Sequence, residues 1–270
     1  MLEKIKAIRK DIKGKKPLIH CITNPISINQ CANLVLALGA RPVMAEHPQE
    51  VEEITAFSSS LLLNLGNITE QRAEAMKRAI CAAKDKGIPI TLDLVGIATS
   101  ELRRRLAGEL LKIHTPTVIK GNYSEIKAFY NSAYCFGGVD SDLTLEKEEI
   151  ADVCVRLARE NEAIVLASGK TDIIASKDTL IYVKNGCERL GSVTGTGCMQ
   201  GALVAAYLSS GAGIWAVAAA CGVLGICGER AAEKEGSGSF MVGLMDMLSL
   251  LTDSQLENDL KMEVERIEGA

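Results

Sequence analysis

Ile88-Pro89-Ile90-Thr91-Leu92-Asp93 is a short apolar run that stops at a carboxylate. Residues 88–92 read as a strand, residues 99–112 as a helix and residues 117–120 as a second strand. A helix of ten or more residues between two short strands is the unit from which parallel sheets are built. The same alternation extends outward in both directions. Upstream, Leu2, Ile5, Ile8 and Ile12 mark a helical face, and residues 17–23 form a strand closed by Asn24-Pro25. Residues 28–38 form a helix ended by Gly39, and residues 60–65 a strand closed by Gly66-Asn67. Residues 69–86 are an amphipathic helix with Thr69 as N-cap and Gly87 as its stop. Downstream, a helix starts near Ser124, a polar insert surrounds Gly137-Gly138, and residues 145–160 are helical. A strand at 163–167 precedes a hairpin of 172–176 and 179–183, and the C-terminal third is mainly helical. The pattern predicts an α/β fold with a largely parallel central sheet and helices on both faces. With no linker-like segment or internal repeat, residues 1–270 are expected to form a single domain.

Composition narrows the function. Apolar residues make up 47% of the 270 positions and aromatic ones only 4%, so the core is aliphatic. The formal net charge is −4, and no basic run is interleaved with aromatics, which argues against nucleic acid as a partner. Nine cysteines, an odd number without any Cys-x-x-Cys pair, do not describe a disulfide framework. No secretory leader opens the chain, and a reducing cytoplasm is the expected compartment. His20, His47 and His114 lack metal-ligand spacing. No charged residue lies between Arg189 and Glu229, but glycines and the Ser209-Ser210-Gly211-Ala212-Gly213 turn break that stretch. Two buried helices joined by a short loop are expected there, not a membrane span.

The stretch starts with Val193-Thr194-Gly195-Thr196-Gly197-Cys198, a glycine turn that opens into a helix of small and apolar residues. Amides at such a helix start converge on one spot, where the helix dipole favours negative charge. The turn is neither a Walker loop nor a dinucleotide fingerprint: no Gly-Lys-Ser/Thr follows, and the third glycine position falls on Gln200. In open α/β sheets, ligands sit beyond the carboxyl ends of the strands. Asp93, Lys120 and Glu125 fall at two successive strand ends, where carboxylates and a cation suit a hydrated Mg2+ and a polyphosphate. Asn122 with Glu125 also has the spacing of an ordinary helix capping box. Ser168-Gly169 adds a small hydroxyl at a third strand end.

Taken in order, His20-Cys21-Ile22-Thr23-Asn24, Arg41-Pro42-Val43-Met44-Ala45, Leu61-Leu62-Leu63-Asn64-Leu65-Gly66, Leu92-Asp93-Leu94-Val95-Gly96, Ile119-Lys120-Gly121-Asn122 and Thr194-Gly195-Thr196-Gly197-Cys198 give the chain its resemblance. It resembles the hydroxyethylthiazole kinases of the ribokinase-like superfamily over nearly its whole length. Most of that superfamily has Asp where this chain has Cys198. The resemblance implies a ribokinase-like fold and transfer of the ATP γ-phosphoryl group to the primary hydroxyl of 4-methyl-5-(2-hydroxyethyl)thiazole, a step of thiamine salvage. It implies Cys198 as the catalytic residue, and Met44, Gly195 and Asn24 at the thiazole. Lys120, Ser168, Thr194 and Gly197 fall at nucleotide positions, and Asp93 and Glu125 where the family organises Mg2+. It also implies a homotrimer with sites between subunits. Two positions depart from the family: Lys120 stands where Arg is usual, and Leu94 where Pro is usual.

Two expectations concern Cys198. A thiol at a helix N-terminus is expected to have a depressed pKa. Because phosphoryl transfer needs little activation of the nucleophile, the thiol is expected to orient the hydroxyl more than to deprotonate it. A weakly catalytic thiazole-binding relative and a kinase of another heterocyclic alcohol are alternative readings of the same residues. A Cys-dependent hydrolase is disfavoured, because His20 is the only histidine near a predicted strand end.

Overall fold

The computed structural model describes residues 2–131, 133–134, 145–234 and 236–267. Nine strands form one sheet: β1 (Leu18–Ile22), β2 (Arg41–Val43), β3 (Ser60–Asn64), β4 (Ile90–Asp93), β5 (Val118–Asn122), β6 (Ile164–Ser168), β7 (Asp172–Ala175), β8 (Thr179–Val183) and β9 (Met262–Arg266). Their order is β2-β1-β3-β4-β5-β6-β7-β8-β9. The pairs from β2 to β6 are parallel, and those from β6 to β9 are antiparallel. The expected largely parallel sheet is therefore present, extended by an antiparallel flank.

Successive strand side chains point to opposite faces, and the apolar residues divide accordingly. On β3, Leu62 joins one core while Leu61 and Leu63 join the other; on β5, Val118 and Ile119 separate in the same way. The first core is covered by α1 (Leu2–Lys15), α2 (Ile28–Leu38), α8 (Thr196–Leu208), α9 (Ile214–Ala231) and α10 (Ser237–Leu250). The second lies under α4 (Glu70–Lys86), α5 (Glu101–Ile113), α6 (Tyr123–Tyr130) and α7 (Lys147–Asn161). Two shorter helices, α3 (Val51–Phe57) and α11 (Asp253–Asp259), and a 3-10 turn at Glu188–Gly191 complete the described elements.

Local chemistry sets the helix ends. Thr69 Oγ1 accepts a hydrogen bond from Arg72 N at 3.1 Å, and Gly87 closes α4 in the left-handed region. The uncharged stretch folds as α8 and α9, joined by a five-residue turn. Every residue of α8 from Cys198 to Leu208 is buried. Helix α9 is long and apolar enough to cross a bilayer, but most of it is packed inside the fold.

The alternation missed three elements. Strand β2 has only three residues and contains Pro42, α3 has seven residues, and β9 is a charged strand in a tail expected to be helical. The insert near Gly137-Gly138 lies outside the described residues.

Candidate active site

Register brings the polar strand ends side by side. Asn64 pairs across β3 and β4 with Asp93, and Asp93 pairs across β4 and β5 with Lys120. Their side chains bond along the same line. Asp93 Oδ2 accepts from Asn64 Nδ2 at 2.9 Å, and Asp93 Oδ1 accepts from Lys120 Nζ at 3.1 Å. Both charged groups are buried. Burial pushes the Asp93 carboxyl above its usual range, while Lys120 and Asn64 pull it back. Burial also opposes the Lys120 ammonium, but Asp93 and Glu125 outweigh it and hold its pKa above the ordinary lysine value. An ion pair this deep is retained only where its hydrogen bonds are complete.

Glu125 joins the cluster from the first turn of α6. Its Oε1 accepts from Gly96 N at 2.6 Å and its Oε2 from Asn122 N at 2.7 Å, which with Asn122 Oδ1 makes a capping box. Burial, then repulsion from Asp93, raises its pKa to about 7. Asp93 and Glu125 thus already have internal partners on each carboxylate oxygen. Among the described residues, no three His, Cys, Asp or Glu side chains cluster as a metal-binding group. The donor set therefore fits a divalent cation only through its water shell, since every oxygen of the two carboxylates is already bonded within the fold.

Helix α8 enters over this row. Gly195 caps it at φ +92, and a side chain there would also press a Cβ to within 3.0 Å of Ser27 Cβ, so both conformation and space require glycine. A Cβ on Gly201 would lie 3.0 Å from Asp93 Oδ2, so the helix backbone rests directly on the carboxylate. The leading amides of a helix lack intrahelical acceptors. Here they open beside the Asp93 row.

Cys198 sits in that first turn, and its Sγ receives a hydrogen bond from Asn24 Nδ2 at 3.1 Å. Asn24 Oδ1 in turn accepts from Ile26 N at 3.0 Å, which aims the amide at the thiol. The expected depression of the thiol pKa is not found. Burial raises it and the Asp93 charge raises it further, while Ser27, Lys120 and Asn64 pull the other way. Desolvation and a neighbouring carboxylate outweigh the groups that would favour the thiolate.

The other expected site residues have the following places in the fold. Ser168 ends β6, pairs with Asn122 and donates from Oγ to Gly121 O at 3.3 Å. Thr194, on the turn into α8, and Gly197, in the first turn of α8, are exposed. Met44 follows β2, two strands from β3, and is half-buried. The loop after it is held by His20, whose Nε2 bonds Ala45 O at 2.9 Å and whose Nδ1 bonds Thr55 Oγ1 at 2.8 Å. A carbonyl only accepts, so Nε2 carries the proton and Nδ1 accepts from the threonine hydroxyl. Burial lowers the His20 pKa and keeps this neutral tautomer.

Sequence reasoning found Asp93, Lys120, Glu125, Asn24 and Cys198, which the fold assembles. It missed the role of Asn64, whose position at the end of an apolar strand was the available signal, and the buried Asp172 and Gln200.

Known proteins resemble this chain over most of its length. Residues 9–254 match the model of the hydroxyethylthiazole kinase family. Hydroxyethylthiazole kinase 1 of Clostridium botulinum is 44% identical over 251 residues, covering 91% of this chain and 95% of that protein. The structure of a hydroxyethylthiazole kinase from Pyrococcus horikoshii superposes with a TM-score of 0.89 at 33% identity, covering 98% of this chain and all of that one. A ribokinase-like superfamily protein from Enterococcus faecalis shares the fold at a TM-score of 0.63 and 11% identity, covering 92% of this chain and 95% of that one.

Proposed function

The chain belongs to the hydroxyethylthiazole kinase family, and from that premise we propose that it phosphorylates the primary hydroxyl of 4-methyl-5-(2-hydroxyethyl)thiazole with ATP. It is a phosphotransferase with an alcohol as acceptor. The observation that carries the reading is Cys198 at the N-terminus of α8, bonded to Asn24 and set over the buried Asn64–Asp93–Lys120 row.

Phosphoryl transfer passes through a loose transition state, and catalysis consists mainly of positioning and charge stabilisation. The alcohol oxygen forms a bond to the γ-phosphorus as the bond to the β-phosphate oxygen breaks, and ADP departs. The amides from Gly195 to Cys198 face the charge that spreads over the transferred group. With its pKa raised, Cys198 acts as a neutral thiol that orients the hydroxyl, and the alcohol proton leaves late, passing to an oxygen of the transferred phosphoryl group and from there to solvent. Met44, Gly195 and Asn24 hold the thiazole, with a sulfur contact from Met44 to the ring. Lys120, Ser168, Thr194 and Gly197 hold the nucleotide, Lys120 from the buried end of the site beside Asp93. Asp93 and Glu125 would hold Mg2+ through water, and the cation neutralises phosphate charge when bound.

Residues 1–270 act as one kinase unit in this reading. The family resemblance implies a homotrimer with sites between subunits, and the exposed apolar side chains of Ile26, two residues from Asn24, and of Val242 on α10 are available to such an interface. All cysteines among the described residues are free thiols, in keeping with a reducing cytoplasm.

The test is ADP production by the purified protein with ATP, Mg2+ and hydroxyethylthiazole, against a panel of other heterocyclic alcohols. Thiazole-dependent turnover that stops on chelation of Mg2+ is expected. Thermal stabilisation by the thiazole without turnover would refute the kinase reading.

A further inference from the structure

The reaction as described leaves one buried carboxylate without a role. Asp172 opens β7, directly after the turn that follows Ser168. Its Oδ1 accepts from Gly169 N at 3.1 Å, and its Oδ2 accepts from Gln200 Nε2 at 2.7 Å. Gln200 lies in the first turns of α8, two residues beyond Cys198, and its Nε2 is also 3.6 Å from Cys221 Sγ on α9. The turn itself is pinned on its other side. Tyr123 OH donates to Thr171 O at 2.6 Å, and a Cβ on Gly169 would come within 2.7 Å of the Tyr123 ring.

Burying a carboxylate and an amide in an otherwise aliphatic layer is unfavourable unless their hydrogen bonds are met. For stability alone, an apolar pair of the same volume serves as well or better. What an apolar pair cannot do is fix the distance between two particular backbone segments. Asp172 joins one segment to the other with bonds of opposite reach, Oδ1 to the Ser168–Gly169 turn and Oδ2 to the start of α8, and the Cys221 thiol of α9 bonds the same carboxylate.

We propose that Asp172 is a positioning residue that sets the Ser168–Gly169 turn and the N-terminal turn of α8 at one fixed spacing, and so holds the nucleotide phosphates in line with the hydroxyl at Cys198. This rests on reading those two segments as the nucleotide-binding walls of a kinase. Gln200 is the second half of the device, and Tyr123 keeps the turn from sliding away from it.

Asp172→Asn tests the link, because an amide cannot accept from both Gly169 and Gln200 through two oxygens. The KM for ATP is expected to rise about tenfold or more, with the KM for the thiazole nearly unchanged, since small misplacements of reacting groups have large kinetic effects. The exchange Asp172→Asn with Gln200→Glu restores a donor–acceptor pair with its polarity reversed, and should bring the KM for ATP back to within about threefold of the starting protein. Calorimetric ADP binding to the same three proteins is expected to weaken and recover in parallel, and it reads the two walls even where the starting protein shows no turnover. An inert starting protein with that binding pattern would sink the kinase reading and its in-line alignment, and leave standing only the spacing of two nucleotide-binding walls by Asp172. Unchanged nucleotide affinity in Asp172→Asn, an equal rise in both KM values, or no recovery in the exchange would overturn it. Should Asp172→Asn fail to fold, Gln200→Met cuts the α8 bond alone and is judged by the same split between substrates.

Discussion

Replacing Gly201 by alanine sets two effects of known size against each other. Alanine is favoured over glycine in a helix interior by about 1 kcal/mol. At this position the added Cβ would stand 3.0 Å from Asp93 Oδ2, 3.4 Å from Leu62 Cδ1 and 3.6 Å from Asp93 Cγ. Ordinary contact distances are about 3.5–4.0 Å, so something must yield by roughly half an ångström. Asp93 cannot, because Lys120 and Asn64 hold both its oxygens within the sheet. Helix α8 must lift instead, at an overpacking cost of about 1–3 kcal/mol that cancels or exceeds the propensity gain. Cys198 lies three residues earlier on the same helix and moves with it. The expected result is a Tm unchanged or lower by up to about 8 °C, with turnover reduced about 10- to 100-fold. Gly108 on α5 is the control: an added Cβ there meets nothing within 4 Å, so Gly108→Ala should gain about 1 kcal/mol with turnover unchanged. Differential scanning calorimetry and the ADP-release assay read both quantities. A Gly201→Ala protein that matches Gly108→Ala in stability and keeps full turnover would refute the seating of α8 on Asp93.

Lys120→Met strands a buried carboxylate and should cost about 3–5 kcal/mol in urea unfolding, with Asp93→Asn added to it recovering most of the loss; an additive pair of losses would contradict the ion pair. Cys198 should alkylate with iodoacetamide at a rate that keeps climbing beyond pH 9, as peptide mapping would show, and a half-maximal rate below pH 8 would mean a thiolate after all. Cys198→Ala should lose less than about a thousandfold in turnover. Glu125 has its pKa raised from 4.5 to about 7, so the folded state retains a proton that the unfolded chain releases. Its contribution to stability therefore declines as pH rises from 4.5 to 7, by about 3 kcal/mol. The stability of Glu125→Gln relative to the unchanged protein should improve by that amount between those pH values, and a flat difference would count against the buried charge.

The sequence was most legible where periodicity and punctuation agreed. Helix α2 begins at Ile28 and ends at Leu38 as expected, and α4 keeps its Thr69 cap and Gly87 stop, because caps and left-handed glycines act locally. Strand β9 was illegible for a matching reason. Met262–Arg266 is mostly exposed and charged, and only its pairing with β8 makes it a strand. The site divides in the same way. Carboxylates at strand ends are visible in a sequence, but sheet register decides that Asp93 lies between Asn64 and Lys120. The pKa of Cys198 was misjudged because a helix start is a local feature, whereas burial beside Asp93 is a tertiary one.

The two margins of the sheet bear on how copies of this chain meet one another. On one side, β2 offers three residues, and Pro42 among them has no N–H to donate. On the other, β9 presents Glu263, Glu265 and Arg266 to solvent. An unpaired strand edge is a template for runaway stacking of one molecule on the next, and short length, proline and charge are the features that blunt it. With both margins blunted against strand addition, the helical faces are the surfaces left for contact between copies. Both edges of the sheet are therefore poor templates for fibre growth.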